Sequence, residues 1–298
     1  MTTTPKRTYI TLSNRGLRHD TLPMRLYHKA KKLGIWDPRD IDLTRDRQDW
    51  QNFPDEYKER LRGLILAFQA GEEAVTLDLL PLVMTMAREG RLEEEMFLTT
   101  FLWEEAKHTE FFRRVLDEVL QEREDMHPLV SASTSTTRDL FADDLPEAMN
   151  LLLTDPSPEN QARASIIYNM IVEGVLAETG YYSFSRLLSA TNTMPGLLQG
   201  IQLIKRDESR HIAYGVFLIS RLVAQDKSLW PVVETRMQEL FTRIERNQEQ
   251  NGTPEPIRDY ARQQFEKRLA RISRAREQSL EEVYQAVESE ETSETEVA

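Results

Sequence analysis

Apolar positions recur at helical spacing along most of the chain, and no stretch sustains the alternation of a strand. Leu22–Leu33 reads as a first helix, stopped by Gly34. Residues 36–50, WDPRDIDLTRDRQDW, break the pattern with Asp-Pro and clustered aspartates, and read as turn-rich and extended. Pro54 opens a long helix toward Gly90, in which Pro81 should produce a kink or break. A further helix covers 91–122, and the polar stretch 124–145, with its Ser-Thr run at 131–137, reads as a loop. A short helix at 146–154 precedes one that starts near Pro158 and runs to about Ala190. Pro195 starts another, ending near Lys227, and two more cover 229–250 and 255–288 around an Asn251-Gly-Thr-Pro break. The pattern predicts an all-α chain.

Four of these helices carry charge where the stripe should be apolar. Glu105 and His108 stand one turn apart on a face shared with Leu98, Phe101, Leu102 and Leu116. Glu208 and His211 repeat the spacing among Ile201, Ile204, Ile212 and Leu218. Glu72 and Glu173 lie alone on otherwise apolar faces, with adjacent Glu73 as a rival to Glu72. A buried carboxylate without a partner is costly, and a metal ion is one of the few things that hold it there. Chance alone supplies roughly half a Glu-x-x-His match to five histidines. A third match, Glu124–His127, has no apolar stripe and reads as accidental. The conjunction is far more specific. One glutamate from each of two helices, with Glu-x-x-His from each of two others, is the ligand set of ferritin-like di-metal carboxylate bundles. The expected fold is therefore a ferritin-like four-helix bundle core with additional helices. Asp207, beside Glu208, would accept a hydrogen bond from a ligating imidazole, or else be a surface acid.

Composition narrows the function classes. The 298 residues suit one large core, so 1–288 read as a single helical domain with a polar N-terminal arm at about 1–21 and a disordered acidic tail at 289–298. A formal charge of −12 disfavours nucleic acid and anionic membranes as partners. The absence of cysteine excludes disulfides, iron–sulfur clusters and thiolate chemistry. No apolar run reaches the length of a bilayer span and no signal core opens the sequence, so the expected location is the cytoplasm.

The tract W-x-P-x-x-I-D-L-T-x-D at 36–46, with the carboxylate pattern, resembles the small (R2) subunit of class I ribonucleotide reductase over about residues 25–225. Within that superfamily the chain is more similar to the R2-like ligand-binding oxidases, through AGEEAVTLDLLP (70–81), FLWEEAKHTEFF (101–112), YNMIVEGVLAETGYY (168–182) and PGLLQGI with DESRH (195–211). The resemblance implies metal ligands at Glu72, Glu105, His108, Glu173, Glu208 and His211, holding manganese and iron or two irons, with O2 as co-substrate. It implies an ether cross-link between Tyr168 and the β-carbon of Val75, a long-chain fatty-acid-like ligand and a homodimer. Small residues at Ala70, Gly71, Gly174 and Ala177 would leave room for that ligand. Trp36 reads as core or as a cofactor partner. In R2 proteins the radical-bearing tyrosine stands four residues after the first histidine, and here that position is Phe112. A true R2 subunit and a non-catalytic metal or lipid carrier are the alternatives. One detail resists: Tyr168 lies five residues before Glu173, about 140° round an ideal α-helix, so their meeting needs a local distortion or an approach from the flank.

Overall fold

The computed structural model of the chain describes residues 9–122, 126 and 139–286, and among these every regular element is helical. The Glu124–His127 match, the Ser-Thr run at 131–137 and the acidic tail at 289–298 lie outside the described residues. Helix α1 (Leu22–Leu33) has Pro23 in its first turn and ends at Gly34, whose amide bonds the Ala30 carbonyl. The 36–50 tract departs from expectation. After one 3-10 turn at Pro38–Asp40, helix α2 covers Thr44–Asn52. Asp42 accepts the Thr44 amide two residues on, a turn that leads into α2, while buried Asp46 accepts the amides of Gly196 and Leu197 at the start of a later helix.

Helices α3 (Asp55–Asp78) and α4 (Leu80–Arg88) realise the Pro54 start and the Pro81 break, because Pro81 has no N–H to offer the Leu77 carbonyl. Helix α5 (Leu92–Arg114) continues as a π-helical turn, Val115–Leu120. After α6 (Leu145–Leu151), α7 (Pro158–Ser165) leads into a π-helical segment, Ile166–Ala177, and then α8 (Glu178–Leu188). The apolar spacing predicts one uniform helix there, and the widened middle is a correction. Helices α9 (Pro195–Gln225) and α10 (Trp230–Gln250) follow as expected. The last predicted helix is two, α11 (Glu255–Ser273) and α12 (Leu280–Gln285), the second opened by a Ser279–Glu282 capping box. Neither proline nor glycine marks that break.

Helix α3 packs on α5, and α9 packs on the π-helical segment, which brings the four charged stripes together. One apolar cluster, with Phe97, Phe101, Met170 and Phe217, lies to one side of them. A second, with Ile65, Phe111, Phe112 and Phe184, lies to the other. At the far end, Arg15 and the Arg18 amide bind Glu93, and Arg18 pairs with Glu281, which ties the N-terminal arm to α5 and α12.

Candidate metal centre

Glu72 comes from α3, Glu105 and His108 from α5, Glu173 from the π-helical segment, and Glu208 and His211 from α9. All six are buried, while Glu73 points to solvent. Their ligand-capable atoms form two groups, Glu72–Glu105–His108–Glu208 and Glu105–Glu173–Glu208–His211, each within 4.8 Å. Glu105 and Glu208 belong to both. Two neighbouring cation positions sharing two carboxylates follow directly from that overlap.

The atoms turned inward face one another without hydrogen bonds. Both oxygens of Glu105, Oε1 of Glu173, Oε2 of Glu208 and Nδ1 of both histidines make no hydrogen bond. Each such orphan costs about 1–3 kcal/mol. His108 Nδ1 stands 3.3 Å from Glu208 and 3.4 Å from Glu72; His211 Nδ1 stands 2.9 Å from Glu105 and 3.5 Å from Glu208. Without metal, protons take up the strain. Burial pushes Glu72 up to about 8 against the pull of His108, and burial with the nearby Glu208 charge raises Glu173 well above the carboxylate range. Burial also acts on Glu105, but the His108 and His211 imidazoles beside it outweigh that effect and bring its carboxyl down to about 2. Both imidazoles are raised well above their usual value, burial being overcome by the surrounding carboxylates. Four carboxylates and two imidazoles are a donor set suited to iron and manganese, so the residues fit a dinuclear centre.

The outward nitrogens are held by a second set of acids, exchanged between the two motifs. His108 Nε2 is 3.4 Å from Asp207 of the other motif, and His211 Nε2 is 2.9 Å from Glu104 of the first. Such bonds fix the tautomer that leaves Nδ1 free for metal. Asp207 also accepts from Trp36 Nε1 at 2.7 Å, Lys107 at 3.1 Å and Arg210 at 2.5 Å, and Arg210 bridges to Glu104 at 2.6 Å. Glu104, Lys107 and Arg210 escaped the sequence reading. Their signal is the repeat itself: Glu104-Glu105-x-Lys107-His108 and Asp207-Glu208-x-Arg210-His211 are acid, Glu, spacer, base, His. Gly34 is needed where Glu104 passes, since a β-carbon there would lie 2.0 Å from Glu104 Oε1.

The π-helical ladder supplies the missing distortion. With i to i+5 hydrogen bonds, residues five apart stand almost over one another, so Tyr168 shares a face with Glu173. Fully buried Tyr168 donates its hydroxyl to the Val75 carbonyl at 2.9 Å. Asn169 donates to Glu173 Oε2 at 3.0 Å and is itself fixed by Ser165. A cavity of about 170 Å³ opens beside the cluster, with Glu72, Glu105, Glu173 and Glu208 at one end and Phe68, Val75, Phe141, Val172 and Leu176 along its wall. Gly71 and Ala177 also line it, whereas Gly174 faces the Asn169 carbonyl and Arg268 and Ala70 lies elsewhere. Phe112 is buried against Phe68, 5.1 Å between rings. Tyr181, unremarked in the sequence reading, places its hydroxyl 3.5 Å from Glu208.

The family described as ribonucleotide reductase, small chain, matches residues 23–256. Among solved structures, a glycine-to-phenylalanine variant of an R2-like ligand-binding oxidase with an anaerobically reconstituted Mn/Fe cofactor is 39% identical, with a TM-score of 0.85 over 90% of this chain and 100% of that one. A glycine-to-leucine variant with a non-activated Mn/Mn cofactor is 38% identical, with a TM-score of 0.83 over 90% and 99%. An R2-like ligand-binding oxidase from Sulfolobus acidocaldarius, solved by micro-crystal electron diffraction, is 37% identical, with a TM-score of 0.86 over 93% and 98%. The chain belongs to the ribonucleotide reductase small-chain family and, within it, to the R2-like ligand-binding oxidases. It is thus a ferritin-like helical protein of a dinuclear metal oxidoreductase family, and its buried cluster can hold a cofactor of the kind those structures carry. Among the described residues, no helix is long and apolar enough to cross a membrane.

Proposed function

We propose that the chain is an O2-dependent dinuclear oxidase in which Glu72, Glu105, His108, Glu173, Glu208 and His211 hold manganese and iron, or two irons. Glu105 and Glu208 are the shared ligands, on the strength of their membership in both groups. When bound, the metal pair supplies the reduction of dioxygen and hence the oxidising equivalents. The chain's own residues do the rest. Asp207 and Glu104 orient the imidazoles, the apolar cavity keeps water from the reacting atoms, and the carboxylate end meets whatever enters. We place the protein in the cytoplasm, as a homodimer of single-domain chains spanning 1–288.

The observation that carries this reading is the approach of Tyr168 to Val75. The phenol stands 2.9 Å from the Val75 carbonyl, and Val75 lies one turn beyond Glu72 with its side chain on the cavity wall. An ether from Tyr168 Oη to Val75 Cβ forms as the O–H and C–H bonds break, a two-electron oxidation that removes two hydrogen atoms. The cavity also favours a long-chain fatty acid, its carboxylate toward the cluster. An engineered apolar cavity of about 150 Å³ takes benzene, so the cavity seats the first carbons and the remaining chain extends outward. R2 subunits that carry a tyrosyl radical hold it at the position of Phe112, which has no hydroxyl, whereas other R2 proteins have phenylalanine there with a manganese–iron centre; a passive carrier has no use for an oxidised Tyr–Val pair.

Metal-loaded protein exposed to air should yield the Val75 and Tyr168 peptides as one species, lighter than their sum by two hydrogens. Tyr168→Phe, and protein kept anaerobic, should yield them apart. Native extracts of the same preparations should release a fatty acid by mass spectrometry. Uncoupled peptides from fully loaded, aerated protein would remove the oxidase reading in this form; lipid-free protein from every preparation would remove the fatty acid from it.

A further inference from the structure

Helices α5 and α9 meet a second time around buried polar groups, one turn beyond His211 on α9. Tyr214, fully buried on α9, donates its hydroxyl to Glu94 Oε2 of α5 at 3.2 Å. The other oxygen of Glu94 faces Arg221 at 3.4 Å and Arg91 at 3.7 Å. Aromatic rings join this pair to the candidate ligand His211. Phe101 stacks on His211 with 3.6 Å between centroids, Phe97 stands 5.9 Å from Phe101, and Tyr214 stands 5.1 Å from Phe97. Outward, Phe217 lies 6.1 Å from Tyr214, and Tyr284 lies 5.3 Å from Phe217. Tyr284 accepts a hydrogen bond from Arg91 and lines a polar cavity of about 220 Å³ at that end of the bundle.

We propose that Tyr214 is a redox-active tyrosine that drains unused oxidising equivalents from the metal centre toward Tyr284. Tyr214 gives one electron, through Phe97, Phe101 and His211, to the oxidised metal pair, which is thereby reduced by one electron. The phenolic O–H breaks as the electron leaves, and the proton passes to Glu94 Oε2. Tyr284 then returns an electron to the Tyr214 phenoxyl, which recovers its proton from Glu94. The Tyr284 proton goes to water in the polar cavity, and a small water-soluble one-electron reductant, such as a thiol, restores Tyr284 from solution.

The choice of tyrosine rests on proton acceptors. The Tyr181 hydroxyl faces Glu208, a candidate ligand whose charge a metal would claim, and the Tyr168 hydroxyl is committed to Val75. Tyr214 has a buried carboxylate of its own, outside the cluster. Burial raises that carboxyl, with Arg221 and Arg91 acting against it, so Glu94 is a fitting acceptor. A phenol whose proton has a positioned acceptor is easier to oxidise than one without.

The inference rests on the centre being redox-active, and freeze-quench EPR reads both at once. Protein loaded anaerobically with manganese and iron, then mixed with O2, should show a transient tyrosyl signal that narrows when ring-deuterated tyrosine is incorporated. Tyr214→Phe, which keeps the ring, should remove it. Glu94→Gln should slow its appearance by about 10²-fold, the lower range for a positioned proton-transfer group. Tyr284→Phe should prolong it. In Tyr214→Phe, intact mass should also show more single-oxygen insertion than in the parent protein. Unchanged circular dichroism and metal content keep misfolding out of the comparison. Oxidised metals without a tyrosyl signal would overturn the inference, as would a signal that survives Tyr214→Phe and vanishes in Tyr181→Phe. Metals that never oxidise would overturn the oxidase reading and this inference with it.

Discussion

His108 and His211 close the same five-residue pattern, yet their surroundings differ. Behind His108, Asp207 shares its charge among Trp36, Lys107 and Arg210, and its bond to the imidazole is a long 3.4 Å. Behind His211, Glu104 pairs with Arg210 and approaches to 2.9 Å. Burial acts on Asp207, but His108, Arg210 and Lys107 overcome it and hold the carboxyl well below its usual range. A carboxylate so heavily engaged lends less electron density to its imidazole than one with fewer hydrogen-bonded competitors. Trp36 lies parallel to His108 at 6.2 Å, whereas Phe101 covers His211 at 3.6 Å. The difference between the two candidate metal positions is therefore written around the candidate ligands rather than in them. A centre that holds two different metals needs an asymmetry of this kind.

The largest test removes the imidazoles themselves. His108→Ala and His211→Ala should each lose at least one metal ion per chain by elemental analysis. His108→Ala leaves the Glu105–Glu173–Glu208–His211 group complete, and His211→Ala leaves the other, so anomalous scattering should find opposite positions emptied. Saturating metal at about 1,000 times its Kd stabilises a chain by about 4 kcal/mol. Each variant should forfeit much of that in a thermal melt. Parent-like metal content in both would end the assignment.

Weaker changes sharpen the comparison. Glu104→Gln should lower affinity at the His211 position by about 10–100-fold, the usual cost of losing such an outer partner. Asp207→Asn should act at the His108 position by a similar factor and also cost folding stability, because Lys107 and Arg210 would be left buried with less countercharge. Metal titrations read by EPR separate the two positions. Equal loss at both positions from either change would erase the asymmetry.

The clustering of these carboxylates and imidazoles was legible because charge interrupts an apolar stripe, and an i, i+3 pair survives any reasonable register. Glu104 was not, because adjacent acids in a glutamate-rich chain give no hint which one faces a partner helix. Tyr168 illustrates a harder limit. Its meeting with Glu173 depends on a change of helical pitch at Ile166–Ala177, a tract whose residues are almost all apolar and buried, so periodicity loses its meaning there. Thr44–Asn52 hid for another reason: Asp42 does form a turn, but one that leads into a helix, and Asp46 caps a distant helix, a role that local reading does not reveal. The break between α11 and α12 is tertiary. Lys227 binds the carbonyls of Ala275 and Gln278 there, a contact no local pattern announces.

The smallest expected effect concerns the two terminal carboxylates. Glu173 is clamped, since Asn169 donates to it and Ser165 fixes Asn169. Glu72 has no such brace; among the described residues its carboxylate faces only His108, and it borders the cavity. On the His108 side the carboxylate is free to change its angle when something enters, and on the His211 side it is not. Asn169→Ala should loosen the second to match the first. A single hydrogen bond to a charged group contributes about 1.5–3 kcal/mol at most, and some of that returns when the freed carboxylate finds a metal. The loss in affinity at the His211 position should therefore be about tenfold or less, with the His108 position unchanged. If Asn169→Ala weakens both positions alike, the clamp serves the helix rather than the ligand, and the asymmetry rests on Asp207 and Glu104 alone.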